Sequence, residues 1–237
     1  MRRGVFITLE GIDGTGKSTQ LRLLARYLKQ SGFAVRITRE PGGTKLGERI
    51  REILLDSATT RLAPLAELAL MYAARAQHLQ EVIRPALARG EIVLSDRYND
   101  ASFAYQGYGR KLGVKTVRAF DRIVCARTQP DLTILLDLPP RLSLRRAQVR
   151  QSERKSNQER FEMQGMEFHK RVRRGYLAIA RKDTRRVKLV PAGVPVAEVH
   201  AKIRTLVDGI LARRLGGLRQ NASKLSFRAK RRILAAV

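Results

Sequence analysis

Apolar residues recur along this chain in two alternating ways. Short continuous runs, such as Val5-Phe6-Ile7-Thr8-Leu9 and Leu132-Thr133-Ile134-Leu135-Leu136, are rich in β-branched and aliphatic residues. That is the pattern of strands buried on both faces of a parallel sheet. Between the runs the spacing becomes helical: Leu21, Leu23, Leu24, Ala25 and Leu28 recur together, with Arg22, Arg26 and Lys29 on the other face. Extended over the chain, the pattern predicts strands at 5–9, 34–38, 92–94, 132–136 and 186–190. Helices are predicted after the first strand and at 46–55, 65–89, 100–106, 114–127, 161–181 and 196–214. Strands alternating with helices imply a three-layer α/β/α sandwich with a five-stranded parallel sheet. There is no internal repeat and no second core.

The breaks in the pattern carry the chemistry. Where the first strand passes to the first helix stands Gly11-Ile12-Asp13-Gly14-Thr15-Gly16-Lys17-Ser18, which fits G-x-x-x-x-G-K-[ST]. Glycines let successive backbone N–H groups turn inward, and the helix start adds partial positive charge, so such a loop binds polyphosphate. Strand, loop and helix follow in the required order, which sets this match apart from an incidental glycine-rich turn. Gly11, Ile12, Asp13, Gly14, Thr15, Gly16, Lys17, Ser18 and Thr19 are the candidate ATP-binding residues. Lys17 is expected to reach the β- and γ-phosphates, and Ser18 to ligate Mg²⁺.

Asp96 and Arg97 sit just beyond the third strand, where ligands collect in open α/β sheets. A carboxylate there can hold a Mg²⁺-bound water, making Ser18 and Asp96 the candidate metal residues. It can equally form a surface salt bridge. Arg39 and Arg51 follow the second strand and could clamp an anion, although either alone reads as an ordinary solvated arginine. Residues 141–160 contain Arg141, Arg145, Arg146, Arg150, Arg154, Lys155 and Arg160 against only Glu153 and Glu159. This segment could close over transferring phosphates or could be an exposed basic loop. Ser152–Gln158 lack apolar residues, which predicts a mobile stretch. His78, His169 and His200 have no cysteine partner at metal spacing and read as helix-surface residues.

Composition narrows the class. The 237 residues are 43% hydrophobic, enough for one large domain with a substantial core. No apolar run approaches the roughly 18 residues of a membrane span. Glu10 cuts off the apolar run after Met1-Arg2-Arg3, so no export segment is expected. The lone cysteine, Cys125, lies in an apolar segment and reads as a buried thiol, pointing to the cytoplasm. With 48 basic and 21 acidic residues the net charge is +27, which raises nucleic-acid binding as an alternative to nucleotide binding. Much of the excess lies in 141–160 and in a C-terminal stretch that has no acidic residue from Gly209 to Val237. That distribution argues against a dedicated nucleic-acid groove. The domain is therefore read as 1–214, with a lid at 141–160, and 215–237 as a poorly ordered basic extension. A contact of that extension with nucleic acid or an anionic surface is its functional alternative.

The residues also resemble a known family, the bacterial thymidylate (dTMP) kinases. The likeness rests on Phe6-Ile7-Thr8-Leu9-Glu10-Gly11 with its loop, Thr38-Arg39-Glu40-Pro41-Gly42-Gly43-Thr44, and Tyr72-Ala73-Ala74-Arg75-Ala76-Gln77-His78. It continues in Asp96-Arg97-Tyr98, Ala104-Tyr105-Gln106-Gly107, Pro130-Asp131 and Arg160-Phe161-Glu162, and covers about residues 4–212. The resemblance implies a P-loop kinase fold and a homodimer. It implies that Asp13 meets the deoxyribose 3′-hydroxyl and that Arg39, Arg51 and Arg97 clamp the dTMP phosphate. It places Arg75 on a thymine carbonyl, Ser102 and Gln106 on the base edge, Tyr105 against the 2′ position, and Glu40 in the same substrate-binding set. Glu40-Pro41 can be cis in this family. Met71 stands where the family usually has a phenylalanine stacked on thymine, which implies weaker stacking. Glu159 replaces a frequent aspartate, and Pro191-Ala192 replaces an Asp-Ala pair, which leaves an adenine-site role there open. The glycine loop offers no arginine, so the resemblance puts the catalytic cation in the lid, at Arg150, Arg154 or Lys155.

The expected activity is thus transfer of the γ-phosphoryl group of ATP to dTMP, with Mg²⁺ as cofactor and no membrane partner. Lys17, Asp96, Arg97 and a lid cation are its catalytic candidates. Another nucleotide or nucleoside kinase on the same scaffold is the nearest alternative. A nucleic-acid-stimulated P-loop ATPase is the alternative from another class.

Overall fold

A computed structural model describes residues 3–59, 62–152, 160–161 and 163–216. Five strands, β1 (Phe6–Glu10), β2 (Val35–Arg39), β3 (Ile92–Asp96), β4 (Leu132–Asp137) and β5 (Val187–Pro191), form one sheet in the order β2-β3-β1-β4-β5. Every pairing is parallel, with Ile7 opposite both Leu94 and Leu132. The sheet is the predicted one, and the strands shift from their expected bounds by only one or two residues.

Alternation along the central strands sorts side chains between two helical layers. Ile7 and Leu9 of β1 and Ile92 and Leu94 of β3 pack with Leu21, Leu24 and Leu28 of α1 (Lys17–Gln30) and with Ile203 and Val207 of α9 (Val196–Gly216). Phe6 and Val93, one residue out of phase, point to the opposite face. There they meet Leu68 and Tyr72 of α3 (Pro64–His78), Leu79 and Ile83 beyond it, and Val117 of α6 (Val114–Val124). A third cluster joins Ile12, Tyr105 and Leu135 to Phe168, Val172 and Tyr176 of α8 (Met166–Lys182).

Several helices depart from expectation. The predicted 65–89 helix is α3, a π-helical turn (Leu79–Ile83) and α4 (Arg84–Ala88). Pro85 accounts for the change in register, because it lacks the N–H that an α-helical ladder needs. The predicted 100–106 helix is α5 (Asn99–Ser102) running into a second π-helical turn, Phe103–Gly109. The 161–181 helix starts only at Met166, and the 114–127 helix stops at Val124 before Ala126 adopts φ 46°. α2 (Lys45–Leu55) and α7 (Pro140–Ser152) complete the set, and α9 continues two residues past the expected boundary at 214. The mobile stretch expected at Ser152–Gln158 falls almost wholly outside the described residues, as does the extension beyond 216.

Candidate active site

β1 lies between β3 and β4, so the chain leaving its carboxyl end sits where connections diverge to the two sides of the sheet, the usual ligand crevice. It leaves through Gly11 and Gly14. A Cβ on Gly14, at φ 82°, would lie 2.0 Å from the Ser143 carbonyl oxygen, so only glycine lets the loop press against α7. Ser143 Oγ donates to the Asp13 carbonyl oxygen at 2.5 Å, fastening the same contact. Gly16, left-handed at φ 92°, precedes α1 and supplies no side-chain cap, which leaves the first helical N–H groups to an anion.

Lys17 Nζ donates to the carbonyl oxygens of Gly11 and Ile12 at 3.1 and 2.9 Å. Burial, then the neighbouring Arg97, push its pKa down to about 8, against the pull of Asp13, Asp96 and Glu10. Ser18 Oγ donates to Asp96 Oδ2 at 2.8 Å, bringing the two candidate metal residues together. Both offer hard oxygen ligands, and Mg²⁺ typically takes one or two protein groups while keeping several waters. The pair therefore fits that ion. No cluster of three or more His, Cys, Asp or Glu side chains suited to a metal occurs among the described residues.

Arg97 is the hub of the opposite half. Its φ of 71° is left-handed, a strain of about 1–2 kcal/mol for a residue with a Cβ, and it turns the side chain back across the tip of β1. Nη1 donates to the Gly11 carbonyl oxygen at 2.8 Å and to the Tyr176 hydroxyl at 3.0 Å. Nη2 donates to Asp13 Oδ1 at 2.7 Å and to the Tyr105 hydroxyl at 3.0 Å, and that hydroxyl donates to Asp13 Oδ2 at 2.9 Å. Burial alone would raise the Asp13 pKa, but Arg97 and Lys17 outweigh it and hold the carboxyl well below the usual range.

Arg75 is buried and fully directed. Nε donates to Glu40 at 2.6 Å, Nη1 to Ser102 Oγ at 3.1 Å and Nη2 to the Tyr98 carbonyl oxygen at 3.1 Å. Glu40, before a cis Pro41, also pairs with His78 Nδ1 at 3.0 Å, and His78 Nε2 meets Thr38 Oγ1 at 2.5 Å. The surface assignment of the histidines is thus wrong for His78 and His169, which are completely buried. Helical spacing alone could not reveal that the Thr38–Gly43 segment closes over His78, or that the Phe103–Gly109 turn packs along α8, which carries His169. Arg39 reaches Glu48 at 2.7 Å from a half-exposed position, and Arg51 Nη1 donates to the Pro41 carbonyl oxygen at 2.9 Å.

These groups enclose one cavity of about 370 Å³. From the loop side come Asp13, Gly14, Gly16, Lys17, Ser18 and Thr19; from the β3 end come Asp96 and Arg97. Arg39, Glu40, Arg51 and Arg75 face in from β2, α2 and α3, while Met71, Ser102, Tyr105 and Gln106 close the far end. Gly11, Ile12 and Thr15 shape the loop without lining the space. Arg150 lies on α7, and Arg154 and Lys155 fall outside the described residues. Phe161, quoted above only as part of a motif, also lines the cavity, as does Leu55. Sequence reasoning assigned no role to Glu10, Glu67 or Tyr176. The available signal was an acid within a buried strand or on an apolar helix face. One end of the cavity suits polyphosphate and the other a second phosphorylated ligand, the arrangement required for phosphoryl transfer between them.

A family model described as thymidylate kinase matches residues 9–203. A thymidylate kinase of Pseudomonas savastanoi pv. phaseolicola is 48% identical over 213 residues, covering 90% of this chain and 99% of the relative. One of Trichlorobacter lovleyi is 48% identical over 210 residues, covering 88% and 98% respectively. The crystal structure of thymidylate kinase from Ehrlichia chaffeensis superposes with a TM-score of 0.70 at 32% identity, covering 87% of this chain and 99% of that one.

Proposed function

The chain belongs to the thymidylate kinase family, and from that premise we propose how its cavity divides the work of phosphoryl transfer. The reaction is ATP-dependent phosphorylation of dTMP to dTDP. In our reading the loop amides and Lys17 hold the β- and γ-phosphates of ATP. Arg39, Arg51 and Arg97 hold the dTMP phosphate, one of whose oxygens attacks the γ-phosphorus as ADP departs. That nucleophile is already ionised at neutral pH, so catalysis is positioning and electrostatics and needs no strong general base. Ser18 and Asp96 would hold Mg²⁺, which supplies neutralisation of phosphate charge when bound. Asp13, fixed by Arg97 and Tyr105, orients the acceptor sugar. Arg75, Ser102 and Gln106 address the base edge, and Met71 with Phe161 covers its apolar surface. Arg150, Arg154 and Lys155 remain the proposed source of the cation for the migrating group, within a lid at 141–160.

Convergence carries this reading: Lys17, Ser18 and Asp96 share a single cavity with Arg39, Arg51 and Arg97. We further place the protein in the cytoplasm, consistent with its buried free thiol at Cys125. We also propose that it pairs with a second copy. Leu46 and Ile53 on α2, Leu65 on α3 and Ile123 on α6 are exposed apolar side chains that such a surface would use. No helix among the described residues is long and apolar enough to cross a membrane. A coupled assay with dTMP, dUMP, dCMP and AMP as acceptors tests the assignment. dTMP should give the highest kcat/KM, and a preference for AMP would overturn it. Lys17→Ala should stay folded and lose about 100-fold or more in turnover, the scale of one transition-state electrostatic contact.

A further inference from the structure

Glu67, on α3, does not line the cavity, yet it is completely buried and takes hydrogen bonds on both carboxylate oxygens. Oε1 accepts from Gln106 Nε2 at 2.8 Å and from Arg110 Nε at 3.2 Å. Oε2 accepts from Arg110 Nε at 3.1 Å and from Arg160 Nη2 at 2.7 Å. Guanidinium groups can only donate, so position 67 must present acceptors to Arg110 and Arg160. Its carboxylate therefore also takes the NH₂ end of the Gln106 amide rather than the carbonyl end. Gln106 lines the cavity, and among the described residues no group donates to its Oε1.

We propose that Glu67 is a positioning residue for acceptor choice: by engaging the amide NH₂ of Gln106, it turns Oε1 of that residue toward the substrate base. The cavity then offers an acceptor. A pyrimidine carrying N3–H, such as thymine, satisfies it. Cytosine, whose N3 is itself an acceptor, faces a lone pair against a lone pair. This inference rests on the dTMP reading above and deepens it, because the discrimination arises one residue behind the base contact.

Glu67→Gln makes the mechanism testable. A glutamine at 67 must still turn its carbonyl to the two arginines, which leaves its NH₂ facing Gln106. The Gln106 amide is then driven to flip, with its own NH₂ toward the base. The full-length chain should be assayed with ATP, Mg²⁺ and either dTMP or dCMP. Glu67→Gln should lower the dTMP:dCMP ratio of kcat/KM by roughly tenfold or more, chiefly through a higher KM for dTMP. In a Gln106→Met background the same substitution should leave the ratio within about twofold. A folded Glu67→Gln enzyme whose two activities fall in parallel would overturn the proposal, as would an undiminished effect in the Gln106→Met background. Should circular dichroism show Glu67→Gln unfolded, Glu67→Asp decides by the same ratio. It keeps the charge opposite Arg110 and Arg160 but withdraws the acceptor from Gln106. A wild-type enzyme that did not favour dTMP over dCMP would instead contradict the acceptor reading itself.

Discussion

Single residues in and behind this cavity are set by neighbours far away in sequence, and Glu10, buried without lining it, illustrates this most sharply. It ends β1 with its carboxylate completely buried, accepting from the Tyr98 N–H and the Tyr176 hydroxyl, each at 2.7 Å. Burial first, then Asp100, push its pKa up to about 8, against Arg97 and the two hydrogen bonds. Between pH about 4.5 and about 8 the folded chain keeps a proton that the unfolded chain has released. Stability from this group is therefore full below about pH 4.5 and lost as pH rises through about 8, an effect of a few kcal/mol at most. Urea midpoints should fall between pH 5.5 and pH 8 (about 2.5 pH units), and Glu10→Gln should flatten that slope. An unchanged slope in the variant would assign the pH dependence elsewhere. Composition at position 10 announces only an acid; its environment belongs to β3, β4 and α8.

At the scale of elements, strand, loop and helix were legible because everything needed lies within about two dozen residues. Chain connectivity alone brings Gly11 through Ser18 to the end of β1. The seat of the loop was not legible. Gly14 packs against the backbone of α7, so the start of the arginine-rich helix rests on the phosphate loop. Gly14→Ala should lower the melting temperature by roughly 2–8 °C, from about 1–2 kcal/mol of left-handed strain. It should also raise the KM for ATP, since the loop must back away from Ser143; unaltered nucleotide affinity would count against that coupling. The π-helical turn at Phe103–Gly109 is a second feature hidden from sequence. It carries Tyr105 and Gln106 into the cavity and closes with Arg110 N–H donating to the Tyr105 carbonyl oxygen at 2.8 Å. Apolar periodicity cannot separate such a turn from an α-helix over seven residues.

For the whole molecule the open question is its charge of +27. The cavity uses some of it, and the sequence beyond Gly216 adds six basic residues and no acidic one: Arg219, Lys224, Arg228, Lys230, Arg231 and Arg232. We expect removal of 217–237 to leave kcat and KM for dTMP within about twofold, because the cavity is built from earlier residues. Any salt-sensitive association with DNA or RNA should weaken in that truncated chain. Loss of kinase activity on truncation would show that the extension completes the enzyme. ATP hydrolysis stimulated by nucleic acid would revive the ATPase alternative, which neither the family match nor the relatives favour.

The sequence by itself determined the layer architecture, the phosphate loop and most of the residues that meet in the cavity, though not Leu55 or Phe161. Period-2 and period-3.6 patterning decides which faces must be covered, and a motif spanning eight residues carries its own proximity. Tertiary structure alone decided what each of those residues is bonded to. Glu10, Asp13, Arg97, Tyr105 and Tyr176 form one network only because β1 lies between β3 and β4 and α8 packs across their ends. The same holds for Glu67 between Gln106, Arg110 and Arg160. A buried acid gains its role from the groups that replace water around it, and those arrive from segments up to about 170 residues apart in the chain.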